Sequence, residues 1–191
     1  MHTKNIVLPM LLAVIVGGSV QAGSSASLGC PASEREQMDA EFGEGTSEIT
    51  RCLSTRDGIK VMINFSGSTL HKSGVAQQLK NIENIVNNYE HFYGMKANKN
   101  YHIVVVGYGP GGRFLINDAA YNATYGGTAG NPSRPLVESL IARGVYLVMC
   151  QNTMRSNRWV TADIISGISQ VPAGVTAVID YEYAGYKALN P

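Results

Sequence analysis

The sequence predicts a single doubly wound α/β domain, in which helices cover both faces of a mostly parallel β-sheet. Three apolar segments, at residues 59–65, 101–107 and 145–150, have the length and continuous hydrophobicity of strands that are buried on both faces. Segments with helical spacing of apolar residues lie between them, and this alternation is typical of a parallel sheet with crossover helices. We therefore assign the globular domain to residues 58–191.

Residues 1–22 have the features of a secretory signal peptide. Lys4 precedes an apolar run from Ile6 to Gly18, and small residues lead up to a cleavage position after Ala22. The run is shorter than the about 20 residues that a membrane-spanning helix needs. We expect an exported, periplasmic protein without membrane contact after cleavage, and an uncleaved membrane anchor is the alternative.

The stretch from residue 23 to residue 57 is rich in Gly, Ser, Glu and Thr and has few large apolar side chains. This composition predicts a polar N-terminal arm and not a second domain. Ser33 and Glu36 have the spacing of a capping box, so a short helix is expected to begin there.

The first half of the domain contains two strands and one long helix. The strand at 59–65 is followed by a turn-rich connection at 66–74 and then by a helix that ends near Gly94. Its apolar residues are spaced three or four apart, which gives one buried stripe: Val75, Leu79, Ile82, Val86 and Tyr89. The second strand, at 101–107, leads directly into a glycine-rich loop.

The second half begins with a helix that has Pro135 in its first turn and Gly144 as its C-terminal stop. After the third strand we expect a polar loop at 151–158. A short helix within 160–167, a brief strand at 168–172 and a closing helix over 173–189 are expected to follow. The loops after parallel strands meet at one edge of the sheet, where α/β proteins bind ligands.

Charge and motif content exclude several function classes. Fifteen basic residues against 14 acidic ones, without runs of like charge, do not indicate a nucleic-acid-binding surface. His71, His91 and His102 are too far apart for the usual ligand spacings, so no metal site is predicted. A serine nucleophile elbow, G-x-S-x-G, is also absent from the sequence.

The loop GYGPGG at residues 107–112 matches the dinucleotide-binding pattern G-x-G-x-x-G. Pro110, however, removes an N–H group from a loop that would donate such groups to phosphate, and no acidic residue closes a later strand at the required distance. We interpret the loop as a tight strand-to-helix turn and predict no nucleotide cofactor.

The chain has three cysteines, an odd number for an exported protein. Of the three possible pairings, Cys30 with Cys52 is favoured, because both lie in the polar N-terminal stretch. Such a disulfide would stabilise the fold by about 3 kcal/mol in the chain-entropy model. Cys150 is then the unpaired cysteine.

Cys150 is predicted at the carboxyl end of the third strand, where backbone N–H groups converge and favour the thiolate. Arg155 and Arg158 add positive charge to the following loop, and Asn152 and Thr153 add neutral hydrogen-bonding groups. The alternative is that Cys150 is a small buried hydrophobic residue, as most free cysteines are. The residues alone leave both possibilities open.

The order of motifs resembles the DsrE/DsrF-like family of sulfur-relay proteins. The resemblance rests on KVMINFSGS, VVVGYGPGGRFLIND, GVYLVMCQNTM, DIISGISQVPAGV and YAGYKALNP, which together extend over residues 59–191. It implies a flavodoxin-like fold, a homotrimer or homohexamer, and a persulfide-carrying cysteine at Cys150. Asn152, Arg155 and Tyr108 are then expected to be binding residues around it. Sulfur-donor and sulfur-acceptor proteins or small thiols are the implied partners, and no cofactor is needed.

Two other functions stay open. Tyr108 stands where many relatives have a histidine, and a tyrosine with a pKa near 10 shuttles protons poorly at neutral pH. This departure, with the tyrosine-rich C-terminal segment, motivates a non-catalytic oligomeric binding protein or scaffold that keeps the fold. Thiol–disulfide exchange between Cys150 and Cys30 or Cys52 is a weaker option, because the chain lacks C-x-x-C spacing.

Overall fold

A five-stranded, all-parallel β-sheet organises the chain in the computed structural model, which describes residues 52–191. The strand order is β4-β3-β2-β1-β5. Strands β2, β3 and β4 are added one after another on one side of β1, and β5 is added on its other side. This is a flavodoxin-like doubly wound α/β fold, which confirms the predicted fold class. The strands are β1 (Ile59–Phe65), β2 (Tyr101–Gly107), β3 (Tyr146–Cys150), β4 (Ser169–Val171) and β5 (Lys187–Leu189).

Five α-helices connect and cover these strands within the described residues. A π-helical turn, Asn88–Phe92, extends the first helix, and 3₁₀ turns span Gly109–Leu115 and Thr161–Asp163. The α-helices are α1 (Gln77–Asn87), α2 (Asp118–Tyr125), α3 (Arg134–Ala142), α4 (Gln151–Asn157) and α5 (Gly174–Tyr183).

The two faces of the sheet are covered unequally. On one face Ile63, Ile103 and Leu147 belong to a large core that also contains residues of α1 and α3. On the other face a small cluster packs against α5: Met62, Val104, Val106 and Val148. Both sides of the inner strands are therefore dry, which is why β1, β2 and β3 have nearly continuous apolar sequences.

The predicted strands at 59–65, 101–107 and 145–150 agree with β1, β2 and β3 to within one residue. Three residues of the predicted stripe on the first helix, Leu79, Ile82 and Val86, have no exposed surface. Val75 precedes the helix and Tyr89 lies in the π-helical turn, and both are half-buried. These segments were predictable because burial on one stripe or on both faces requires apolar side chains at fixed spacings.

Residues 151–158 were expected to form a loop, and this prediction was wrong. They form α4, which ends at Arg158 in a left-handed conformation with φ of 61°. The segment lacks a regular apolar stripe because only Thr153 and Met154 of the helix are buried. Residues 118–125 were likewise not predicted as a helix but form α2.

The closing helix is shorter than expected. The predicted helix over 173–189 ends at Tyr183, and Gly185 then adopts a φ of 87°, which lets the chain turn back. The last residues form β5 against β1, with Leu189 opposite Ile63. A three-residue edge strand is too short to show a recognisable period in the sequence. The short helix expected within 160–167 is reduced to the 3₁₀ turn Thr161–Asp163.

The predicted signal peptide 1–22, most of the arm 23–57, and Cys30 lie outside the described residues. Cys52, at the start of the described part, is disulfide-bonded, whereas Cys150 is a free thiol. The pairing of Cys30 with Cys52 stays a prediction. Within residues 52–191, no helix combines the length and the hydrophobicity needed to cross a bilayer.

Candidate functional site

Cys150 lies at the carboxyl edge of the sheet, as the last residue of β3 and the N-cap residue of α4. Cys150 is paired with Val171 of the edge strand β4 in the parallel register. Only 4% of the residue is exposed. The thiol is therefore at the edge where parallel sheets bind ligands, but it is covered by its surroundings.

The sulfur of Cys150 is held at the N-termini of two helices. The amide of Gly174, the first residue of α5, donates a hydrogen bond to Sγ over 3.1 Å. On the other side, Asn152 and Thr153 occupy the first turn of α4, where N–H groups have no partner within the helix. Both helix ends direct partial positive charge towards the same sulfur atom.

This environment shifts the pKa of Cys150 below the value of an ordinary cysteine. Burial alone acts in the opposite direction and is the largest single contribution, because it penalises the charged thiolate. Hydrogen bonds from the amides of Thr153, Gly174 and Asn152, and from the Thr153 hydroxyl, outweigh that penalty together. Among these groups, the Gly174 amide is the one whose hydrogen bond to Cys150 Sγ is seen directly in the described residues, at 3.1 Å.

Tyr108 and the glycine loop form the wall of the site next to α5. Tyr108 is half-buried, and its side chain packs against Gly174: a Cβ atom placed on Gly174 would lie 2.8 Å from the Cβ and 3.0 Å from the ring of Tyr108. The predicted site residue Tyr108 is thus brought next to the residue that donates to the Cys150 sulfur.

Asn152 and Arg155 lie on the exposed side of α4. The Arg155 guanidinium donates to Asn152 Oδ1 over 2.8 Å, and its Nε donates to the Gln151 carbonyl over 3.4 Å. The amide of Asn152 acts on the thiol, but the side chains of Asn152 and Arg155 bind each other. The Arg155 guanidinium is therefore bound within α4 itself.

A small polar depression lies beside the covered thiol. It has a volume of about 210 Å³ and is lined by Gly109, Asn152, Thr153, Ser156 and Asn157. Its lining carries amides and hydroxyls but no charged side chain. Thr153 belongs both to this depression and to the surroundings of the sulfur.

The three histidines considered as metal ligands are not gathered by the fold. His102 bonds to the Tyr186 hydroxyl on the α5 face of the sheet, and His71 bonds to Ser73 in the loop after β1. No group of three or more His, Cys, Asp or Glu side chains suited to a metal ion occurs within residues 52–191.

The sequence placed Cys150 at a strand end, as the structure has it, but gave no indication that Gly174 donates to its sulfur. The signal was present as the glycine of VPAGV, which follows the edge strand and begins the last helix. A glycine there permits close approach of another chain segment, but the sequence alone does not tell which segment approaches.

No protein-family model matches the chain, and no curated protein is significantly similar to it. Among solved structures, the chain is similar to MTH1491 from Methanobacterium thermoautotrophicum, a protein described as having unknown function. The TM-score is 0.52 at 22% sequence identity, over 70% of this chain and 99% of that one. This similarity supports the fold alone.

Proposed function

We propose that this protein is an exported member of the DsrE/DsrF-like family that carries sulfane sulfur as a persulfide on Cys150. The observation that carries the proposal is the hydrogen bond from the Gly174 amide to the sulfur of a free cysteine at a strand end. A sulfur carrier needs a thiolate at neutral pH, and the donors around Cys150 favour that form.

The proposed reaction is a displacement that needs no cofactor. The Cys150 thiolate attacks the outer sulfur of a donor such as a persulfide or thiosulfate, and a new S–S bond forms. The donor's own S–S bond breaks, and its electron pair leaves with the thiolate or with sulfite. An acceptor thiolate then attacks the outer sulfur on Cys150 and regenerates the Cys150 thiolate, so there is no net oxidation.

Donor and acceptor proteins, or small thiols, are the proposed partners, and we propose the periplasm as the site of the reaction because the sequence predicts a signal peptide. We also propose that the chain forms a homotrimer or homohexamer. Support comes from α5, where Val175, Ile179 and Tyr183 follow one another at four-residue spacing and are 59%, 48% and 91% exposed. Such a stripe of apolar side chains on an outer helix favours self-association.

The direct test is mass spectrometry of the mature chain after incubation with thiosulfate or polysulfide. We expect a gain of about 32 Da, the mass of one sulfur atom, that a reductant reverses. The Cys150→Ser variant is the matched control and should gain nothing. A non-reducing peptide map places the added mass on the peptide that contains Cys150. Equal adducts in both proteins, or none in either, would contradict the proposal.

A second function, a non-catalytic oligomeric scaffold, is favoured by the burial of Cys150 at 4% exposure. In a scaffold the thiol would resist a small alkylating reagent until the protein unfolds. Labelling of native protein and of protein in denaturant separates the two functions. Cys150 in the native protein could be alkylated at a rate no more than about a hundredfold lower than in the unfolded chain, because local opening of a covered site costs only a few kcal/mol. Such a rate would support the sulfur-carrier function.

A further inference from the structure

The glycine-rich loop at residues 107–112 has no nucleotide to bind in the proposed function, yet it contacts both elements that donate to Cys150. Tyr108 packs on the first residue of α5, and Gly109 bonds to the first turn of α4. Two successive residues of one loop thus contact two different helix N-termini. This arrangement gives the motif a role that its sequence pattern does not suggest.

The contact between Tyr108 and Gly174 sets the position of the α5 N-terminus. The Tyr108 side chain fills the space in which any side chain on residue 174 would lie, with 2.8 Å between the Tyr108 Cβ and the added Cβ. Gly174 is buried, and its amide is the group that donates to Cys150 Sγ. Tyr108 therefore acts on the sulfur through the backbone of Gly174.

The contact between Gly109 and Thr153 orients a hydroxyl. The Gly109 amide donates to Thr153 Oγ1 over 2.8 Å, which uses an acceptor position of that oxygen. A hydroxyl has one hydrogen to donate, and Thr153 lies in the first turn of α4, where its hydroxyl is among the groups that lower the pKa of the Cys150 thiol. Thr153 is only 8% exposed, so water does not readily replace either partner.

Charged groups do not take over this role. On α4, Arg155 is bound to Asn152, and the α5 helix carries its first acidic side chain only at Asp180, beyond its first turn. The turn before α5 is formed by Pro172 and Ala173, which have no charge. The Gly174 amide, which donates to the sulfur over 3.1 Å, is likewise a neutral group.

We propose that Tyr108 and Gly109 are positioning residues, which hold the Gly174 amide and the Thr153 hydroxyl against the sulfur of Cys150. The loop fixes both donors in place before the reaction, so the thiolate gains them without reorganising the backbone. The inference deepens the proposed function, because it explains how a covered cysteine keeps a usable thiolate.

The test is the pH dependence of Cys150 alkylation by iodoacetamide in native, full-length protein. Thr153→Val removes the hydroxyl with little change of volume, and Thr153→Ser keeps it. Tyr108→Ala removes the ring that packs on Gly174, and Tyr108→Phe keeps it. We expect the Val and Ala variants to react about three- to tenfold more slowly at neutral pH and to reach the wild-type rate only at higher pH, as loss of one hydrogen bond to a thiolate implies.

The Ser and Phe variants should follow the wild-type profile. Circular dichroism and unfolding curves establish that each variant is folded, and a merely structural role would lower stability without moving the pH midpoint. An unchanged midpoint in folded Thr153→Val or Tyr108→Ala overturns the inference. A shifted midpoint in a protein that forms no persulfide would uphold the positioning role and reject sulfur transfer, so the two failures are distinguishable.

Discussion

Replacement of Asn131 should destabilise the fold far more than its position in a loop suggests. The side chain is 3% exposed and makes three hydrogen bonds. Its Nδ2 donates to the carbonyls of Phe114 and Ile116, over 3.0 and 2.7 Å, and its Oδ1 accepts from the Ser133 amide over 3.0 Å. Phe114 belongs to the 3₁₀ turn Gly109–Leu115, so Asn131 holds the end of the turn that follows the glycine-rich loop.

The magnitude follows from the groups that lose their partners. Asn131→Ala leaves two carbonyls and one amide buried without a hydrogen bond, and each such group costs about 1–3 kcal/mol. Partial relaxation lowers the sum, and we expect a loss of about 3–5 kcal/mol in the free energy of unfolding. That is a large part of the about 5–15 kcal/mol that holds a typical domain together.

Urea unfolding followed by circular dichroism measures the loss. Asn122→Ala is the matched control, because Asn122 is less buried and its Oδ1 accepts one hydrogen bond, from Gly130. The control should lose about 1 kcal/mol or less. Equal losses for Asn131→Ala and Asn122→Ala would refute the reasoning, since burial and bond number would then not decide the cost.

A second variant tests the donor role of the Asn131 amide. In Asn131→Asp a carboxylate faces the carbonyls of Phe114 and Ile116, which raises its pKa in the folded state above the unfolded value. The destabilisation should therefore be smallest below the unfolded-state pKa and should grow as pH rises. A loss that does not depend on pH would contradict this account.

Three further predictions concern charge and association. The pKa of Cys150 is lowered in the folded state, so folding stability should rise as pH increases from the folded to the unfolded pKa of the thiol. Unfolding curves of Cys150→Ser should not show this rise. The same pH dependence in both proteins would refute the prediction. If α5 forms the proposed interface between subunits, Ile179→Glu should reduce the mass found by sedimentation without unfolding the chain. An unchanged mass would show that α5 does not contribute to such an interface. Glu90→Gln should lower the free energy of unfolding by about 1–3 kcal/mol, because Glu90 accepts hydrogen bonds from Arg143 and from the hydroxyl of the buried Tyr101. A loss of no more than about 0.5 kcal/mol in urea unfolding would show that solvent replaces these bonds.

The inner strands could be predicted from the sequence because burial on both faces leaves no room for polar residues. The segments that later form β1, β2 and β3 are read from local composition alone. Segments at the sheet edge carry weaker constraints: β4 has only partly buried residues and β5 only exposed ones. Helix α4 escaped prediction because it buries only two residues, Thr153 and Met154.

The position of one site residue, Cys150, could be predicted from the sequence, but the groups that surround its sulfur could not. The position of Cys150 at a strand end follows from the sequence, since an apolar run stops there. Gly174, which donates to the sulfur, is 24 residues away from Cys150 in the sequence. Their contact depends on how α5 packs against the sheet. Contacts of such sequence separation have no local signature in a single sequence.

Burial and hydrogen bonding change the pKa of Cys150 in opposite directions, and burial also limits which reagents can reach the thiol. Burial limits access and raises the pKa, whereas neutral donors lower the pKa without adding charged groups that would attract large anions. A thiol of this kind should favour small reagents over bulky ones. The ratio of native to unfolded alkylation rates should therefore be much lower for a maleimide attached to a large polyethylene glycol than for iodoacetamide. Similar ratios for both reagents would show that the residues around Cys150 do not restrict access to the sulfur.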